Sequence, residues 1–101
     1  MNFDEYQRAA ARTSDPSQPT IDRVTNGALG LGGEAGEVIE LVKKNRYHGD
    51  ELGIDPLCKE LGDLLWYISE MASAVNVSLG AIARTNIAKL RARYPDGFKE
   101  G

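Results

Sequence analysis

Residues 55–75 read Asp55-Pro56-Leu57-Cys58-Lys59-Glu60-Leu61-Gly62-Asp63-Leu64-Leu65-Trp66-Tyr67-Ile68-Ser69-Glu70-Met71-Ala72-Ser73-Ala74-Val75, and this stretch decides the fold. Leu57, Leu61, Leu64, Leu65, Ile68, Met71, Ala72 and Val75 recur at helical spacing and form one apolar stripe. Asp55 reads as an N-cap with Pro56 at the first helical position, so the spacing predicts a helix over 55–75. Such a stripe is core and carries no chemistry of its own.

Working outward, the pattern predicts three more helices and no strand. A long one over 20–46 precedes the loop 47–54. Gly27, Gly30, Gly32, Gly33 and Gly36 crowd its first half, each lowering helix propensity by up to about 1 kcal/mol. A break at 30–33 is the competing reading, and a continuous helix is expected. Gly32, Gly33 and Gly36 share one side, opposite Val24, Leu31, Val38 and Val42, and a smooth side lets another helix or a ligand approach the backbone. A helix over 3–13 carries Asn2 and Glu5 as a capping pair, followed by the turn Ser14-Asp15-Pro16-Ser17-Gln18-Pro19. Ser78 caps a last helix that ends before Pro95, and the short tail 96–101 leaves Phe98 to dock. The expectation is an all-α, four-helix bundle, a single domain over 1–101.

Composition narrows the function. Twelve Lys and Arg against 15 Asp and Glu give a net charge of −3, which argues against a dedicated nucleic-acid binder. A phosphorylated ligand stays compatible, because bound cations reverse the local sign of an acidic pocket. The lone cysteine, Cys58, permits no intrachain disulfide, fits a reduced, cytoplasmic setting and reads as a small buried hydrophobe. The N-terminus lacks the charge and apolar run of a signal peptide, and no apolar run approaches a membrane span. A domain this small buries a modest core and is often completed by a partner subunit.

The anomaly is a set of carboxylates at the margin of the core. At about 100° per residue, Glu34 falls between Leu41 and Val38 on the apolar side of the second helix, with Glu37 beside it. Glu60 sits next to Leu64 and Met71 on the third helix, with Asp63 one step further out. Each helix thus carries two carboxylates at i and i+3, on consecutive helices that a short loop makes antiparallel neighbours. Either pair alone is ordinary surface decoration, as Glu40 is. Four unpaired carboxylates near a core are costly, and a hard divalent cation with oxygen ligands neutralises them.

Asn86, Lys89 and Arg93 form a polar stripe on the fourth helix beside Leu79, Ala83, Ile87 and Leu90. Asn86 falls inside the apolar side, where an amide needs a partner, and the two cations suit phosphate oxygens. Solvated cations are the bland alternative. Gly30-Leu31-Gly32-Gly33 follows no strand, does not fit GxGxxG and precedes no GK[ST], which rejects dinucleotide and P-loop readings. His48, the only histidine, serves no triad and reads as a loop residue.

Three blocks now carry a resemblance: Gly30-Leu31-Gly32-Gly33-Glu34-Ala35-Gly36-Glu37-Val38, then Glu60-Leu61-Gly62-Asp63-Leu64-Leu65-Trp66-Tyr67, then Asn86-Ile87-Ala88-Lys89-Leu90-Arg91-Ala92-Arg93-Tyr94-Pro95. Together they resemble the MazG-type nucleotide pyrophosphohydrolases over about residues 21–98. That family's pattern is ExxE followed by ExxD, here with 22 residues between Glu37 and Glu60. The resemblance implies an all-α dimer or dimer of dimers that hydrolyses a nucleoside triphosphate to monophosphate and pyrophosphate. It implies Mg²⁺, with Mn²⁺ as a substitute, on Glu34, Glu37, Glu60 and Asp63. Catalytic roles fall on Glu37 and Glu34, and nucleotide contacts on Asn86, Lys89, Arg93 and Tyr94. A role for the chain in cleaning nucleotide pools follows, with no nucleic acid or membrane partner. The rival readings are a non-catalytic, metal-stabilised helical dimer and a sister activity such as a dUTPase or phosphoribosyl-ATP pyrophosphohydrolase. Trp66, opposite the apolar stripe, is expected to be buried at a subunit contact.

Overall fold

The computed structural model describes residues 1–98, and residues 99–101 of the expected domain and tail lie outside the described residues. The described chain forms four helices and no strand: α1 Phe3–Ala11, α2 Thr20–His48, α3 Ile54–Ala74 and α4 Leu79–Arg93. Local chemistry sets their ends. Asn2 Oδ1 accepts the Glu5 N–H at 2.8 Å, and Glu5 Oε1 accepts the Asn2 N–H at 3.2 Å, the reciprocal pair expected for α1. Ser78 Oγ accepts the Ala81 N–H at 3.0 Å and opens α4. Helix α3 starts earlier than its cap residues suggest, with Gly53 at the N-cap and Asp55 and Pro56 inside the first turn. Proline is tolerated there because first-turn N–H groups have no intrahelical acceptor. Helix α2 runs unbroken through its glycines to His48, which is helical and not in a loop, and stops at Gly49 in the left-handed conformation with φ 76°.

The α2–α3 hairpin is the frame of the molecule, and two glycines explain its close approach. A Cβ at Gly30 would overlap the Tyr67 ring, and one at Gly27 would lie 2.5 Å from Met71 Cγ. Gly32, Gly33 and Gly36 meet nothing within 4 Å, so their smooth side is left open by the chain itself. Further along the seam, Arg23 Nε donates to Glu70 Oε1 at 2.7 Å and Arg23 Nη2 stands 2.7 Å from the same oxygen. Their side chains are only 15% and 9% exposed, so this is a buried ion pair that suffers if either partner is removed alone.

Helix α1 ties the far end of α3 to the start of α4. Gln7 Nε2 donates to Ser73 Oγ at 3.1 Å and to the Val77 carbonyl at 2.9 Å, while Gln7 Oε1 accepts the Leu79 N–H at 2.7 Å. Asp4 Oδ1 accepts the Gly80 N–H at 2.9 Å, so two α1 side chains satisfy the orphan donors at the N-terminus of α4.

Covered apolar surface is scarce. Among the described residues the fully buried apolar side chains are Ala72, Ala74 and Leu79. The α3 stripe is core along one edge only: Leu57, Leu64, Leu65 and Met71 are half-buried, whereas Leu61, Ile68 and Val75 are 48%, 37% and 50% exposed. Cys58 is exposed and not buried. Phe98 is 87% exposed and lines an open groove with Ile87, Leu90 and Tyr94. The radius of gyration is 16.4 Å, where a closed domain of this length has about 13 Å. No helix among the described residues is long and apolar enough to cross a membrane.

The Gly30–Tyr67 contact predicts that Gly30→Ala lowers stability by about 1–3 kcal/mol, because the aromatic ring must move. Gly32→Ala, with no neighbour within 4 Å, creates no such clash. Urea unfolding of the two variants checks the difference, and equal midpoints would contradict this packing.

Candidate metal centre

Antiparallel pairing of α2 and α3 brings Glu34 against Glu60 and Asp63, with one carboxylate oxygen of each within 4.8 Å of the others. Glu34 and Glu60 are half-buried and Asp63 is exposed. Glu34 Oε2 and Glu60 Oε2 are buried without a hydrogen-bond partner. No ion pair among the described residues reaches the cluster: Arg23 is engaged by Glu70, and Lys43 stands 3.5 Å from Glu40. Buried oxygens left in this state are strongly disfavoured. The protein's own remedy is a proton. A hydrogen bond with Glu60, then burial, then repulsion from Glu60, Asp63 and Glu37 push the Glu34 carboxyl from the usual 4.5 up to about 7. Hard oxygen donors, an excess of negative charge and two orphan buried oxygens together fit a divalent, oxygen-seeking cation.

Glu37 stands apart from this group. It is exposed one turn beyond Glu34, close enough for its charge to raise the Glu34 carboxyl but not one of the three clustered side chains. Three of the four anticipated carboxylates are therefore brought together within one chain, with the fourth at their margin.

The α4 residues are placed differently. Asn86, Lys89, Arg93 and Tyr94 are all exposed. Asn86 was expected inside an apolar side; it instead lines an open groove with Val77, Ala81, Ile82, Thr85 and Lys89, because among the described residues no element covers that side of α4. Helix α4 leans on α1 and makes no extended seam with α2 or α3, so the cations do not meet the carboxylates inside one chain. Every charge that shifts Glu34 is negative.

Two features escape the sequence pattern. Tyr6 on α1 has its hydroxyl pKa raised, first by burial and then by the charge of Asp63, which places it within electrostatic reach of the cluster. Trp66 is half-buried and reaches the chain's own α1–α2 turn. Its Nε1–H donates to Thr13 Oγ1 at 2.8 Å, and it meets Tyr67 edge-on with centroids 5.2 Å apart and planes at 89°. Trp66, Tyr67, Asn26, Arg23 and Glu70 help line a cavity of about 300 Å³ on the same seam as the carboxylates. The signal that could have found it is the spacing of Arg23, Asn26, Gly27, Gly30 and Glu34, which share one face of α2.

The Glu34 shift fixes a pH dependence. Because its carboxyl is raised above the unfolded value, it contributes stability fully present below about 4.5 that is lost as pH rises toward 7. A cation must displace the same proton, so its affinity rises over that window. We expect Mg²⁺ to raise the melting temperature more at pH 8 than at pH 5.5. Thermal scans with and without the ion check this, and an equal or larger effect at pH 5.5 would contradict it.

Comparison with known proteins agrees with this geometry. Residues 24–98, which contain all of these carboxylates and the α4 stripe, match the model of the MazG nucleotide pyrophosphohydrolase domain. The chain is also similar to the Gene 37 protein of Mycobacterium phage L5, 33% identical over 109 aligned positions that cover 100% of this chain and 96% of that protein. No solved structure matches it. With three quarters of its length matched, and its acidic pairs falling where the two long helices meet, the chain belongs to the MazG nucleotide pyrophosphohydrolase domain family.

Proposed function

We propose that the protein hydrolyses (deoxy)nucleoside triphosphates to nucleoside monophosphate and pyrophosphate with Mg²⁺, a reaction suited to cleaning the nucleotide pool in a reducing cytoplasm. The observation that carries this reading is the Glu34–Glu60–Asp63 cluster with its two orphan buried oxygens, set inside the matched segment. Those three side chains are the metal ligands. Bound Mg²⁺, or Mn²⁺ in its place, would supply positive charge for the phosphate oxygens and acidify water.

The chain's own residues divide the remaining work. Glu37, outside the cluster and exposed, is free to take a proton from the attacking water. The water oxygen bonds to the α-phosphorus, the bond to the α–β bridging oxygen breaks, and pyrophosphate leaves with that oxygen. Lys89 and Arg93, which stand away from the carboxylates of their own chain, hold the two leaving phosphates as a unit when the second subunit of the expected dimer brings its α4 to the site, with Asn86 and Tyr94 beside them. The cavity at Trp66, Tyr67 and Asn26 takes the base. Trp66 and Tyr67 lie three and four residues beyond Asp63, about 4.5–6 Å along the helix axis, a span that a pentose bridges.

These roles separate in variants. Glu37→Gln is expected to lower kcat by about a hundredfold to ten-thousandfold while Mg²⁺ still binds, the range typical of a lost general base. Glu60→Gln is expected to weaken Mg²⁺ binding and turnover together. Calorimetric titration of Mg²⁺ beside steady-state kinetics checks the pair, and near wild-type rates in both would reject the site. Lys89→Ala or Arg93→Ala removes a charged hydrogen bond of about 1.5–3 kcal/mol, so kcat/KM should fall roughly ten- to a hundredfold. Unchanged efficiency in both would mean that the stripe is merely solvated.

A further inference from the structure

We propose that Glu70 is the residue that selects the base, and that it favours bases with an amine at the point opposite the sugar, as in cytosine and adenine, over those with a carbonyl there, as in uracil, thymine and hypoxanthine. This rests on the pyrophosphohydrolase reading for the claim that a nucleotide enters the cavity beside Trp66 and Tyr67. The chemistry of the wall stands on the structure alone.

The buried ion pair on that wall is unevenly bonded. Glu70 Oε1 receives both contacts, from Arg23 Nε and from Arg23 Nη2, each at 2.7 Å. A pair that served packing alone would spread the guanidinium fork over both carboxylate oxygens. Here Glu70 Oε2 has no hydrogen-bond partner among the described residues, yet it is not sealed in as Glu34 Oε2 and Glu60 Oε2 are. The rest of the Glu70 side chain is buried and lines the cavity, so the cavity is where this oxygen opens. Any ligand that fills the space covers Oε2 and must replace the hydrogen bond that water gives it. An N–H donor does so, whereas a carbonyl sets one acceptor against another.

Position along the seam decides which part of the base meets that oxygen. Glu70 stands two helical turns beyond Asp63, about 10 Å along the axis, so it faces the end of the base furthest from the metal and the phosphates. Helical side chains lean toward their own N-terminus. For Glu70 that direction is toward Trp66 and Asp63, and for Arg23 it is away from Glu34. The carboxylate therefore fronts the guanidinium for a base arriving from the metal end, and Arg23 holds its charge from behind. In a pyrimidine the far point is the substituent on C4, and in a purine it is the substituent on C6. An amine at either place donates to Glu70 Oε2. The Arg23 pairing keeps Glu70 an ionised acceptor without adding uncompensated negative charge beside a triphosphate.

A base panel on the wild-type protein tests this without disturbing the wall. Turnover with Mg²⁺ is compared for cytidine against uridine triphosphate and for adenosine against inosine triphosphate. The amine-bearing member of each pair is expected to have the higher kcat/KM by roughly ten- to a hundredfold, the worth of one charged hydrogen bond. Equal efficiencies within the pairs, or a preference for the carbonyl members, would overturn the proposal. In Glu70→Gln, whose amide can donate to a carbonyl, the cytidine-to-uridine ratio is expected to fall by about tenfold. An unchanged ratio in a variant that still melts cooperatively would place the selectivity elsewhere and overturn it. Should that variant fail to fold, the ligand is trimmed instead: 2-pyrimidinone riboside triphosphate, with hydrogen in place of the amine, is expected to fall to the uridine level on wild-type protein. If it matches cytidine, Glu70 reads no amine. A wild type that turns over no triphosphate would reject the activity alone. Calorimetric titration of the α,β-imido analogues of cytidine and uridine triphosphate then reads the selectivity by itself, with tighter cytidine binding expected and equal affinities overturning the proposal.

Discussion

Three carboxylates whose oxygens gather within 4.8 Å repel one another, and the scaffold is built to hold them there in spite of it. Gly27 and Gly30 let α2 and α3 approach until Met71 and Tyr67 fill the space their side chains would occupy. The Arg23–Glu70 pair fastens the seam further on and neutralises another acidic group there. Gln7 bonds the Val77 carbonyl just beyond the far end of α3, so that end is braced as well. What remains unbalanced is charge. The raised Glu34 carboxyl is a stopgap, and the two orphan oxygens show that it satisfies only part of the site.

The same seam extends the cluster into something larger than an ion site. One helical turn from the acids lie the edge-on aromatic pair and the cavity they line, and Asn26 and Glu70 bring polar groups to its wall. Charge at one end and aromatic surface at the other is the polarity of a nucleotide. Tyr6 adds a hydroxyl near Asp63, from the helix that also anchors α4. Groups that act on the cluster thus come from α1, α2 and α3, although only α2 and α3 carry its acids.

How much of this the sequence made legible depends on the range of each interaction. Helix identity was readable because local periodicity and caps are written in neighbouring residues: Asn2 with Glu5, and Ser78 with Ala81, stand as expected. Glu34, Glu60 and Asp63 could be singled out because they sit at the edge of apolar stripes, and chain reversal does the rest. The start of α3 was misplaced because Asp55 has the chemistry of a cap but Gly53 has the position. Burial was the least legible quantity. The pattern marks Leu61, Ile68 and Val75 as apolar without saying whether this chain or another covers them, and it places Asn86 inside a face that no helix of the chain shields. The hydrogen bond of Trp66 was equally illegible: its partner, Thr13, is 53 positions away in a turn that carries no periodicity.

The central claim is that the acidic cluster, loaded with a divalent cation, directs water to the α-phosphorus. It is tested most directly by identifying the products formed from a nucleoside triphosphate, with Mg²⁺ and after chelation, by phosphorus NMR. This account predicts nucleoside monophosphate and pyrophosphate in equal amounts with Mg²⁺, and no turnover once the ion is removed. Nucleoside diphosphate with orthophosphate as the main products, or undiminished turnover under chelation, would contradict it.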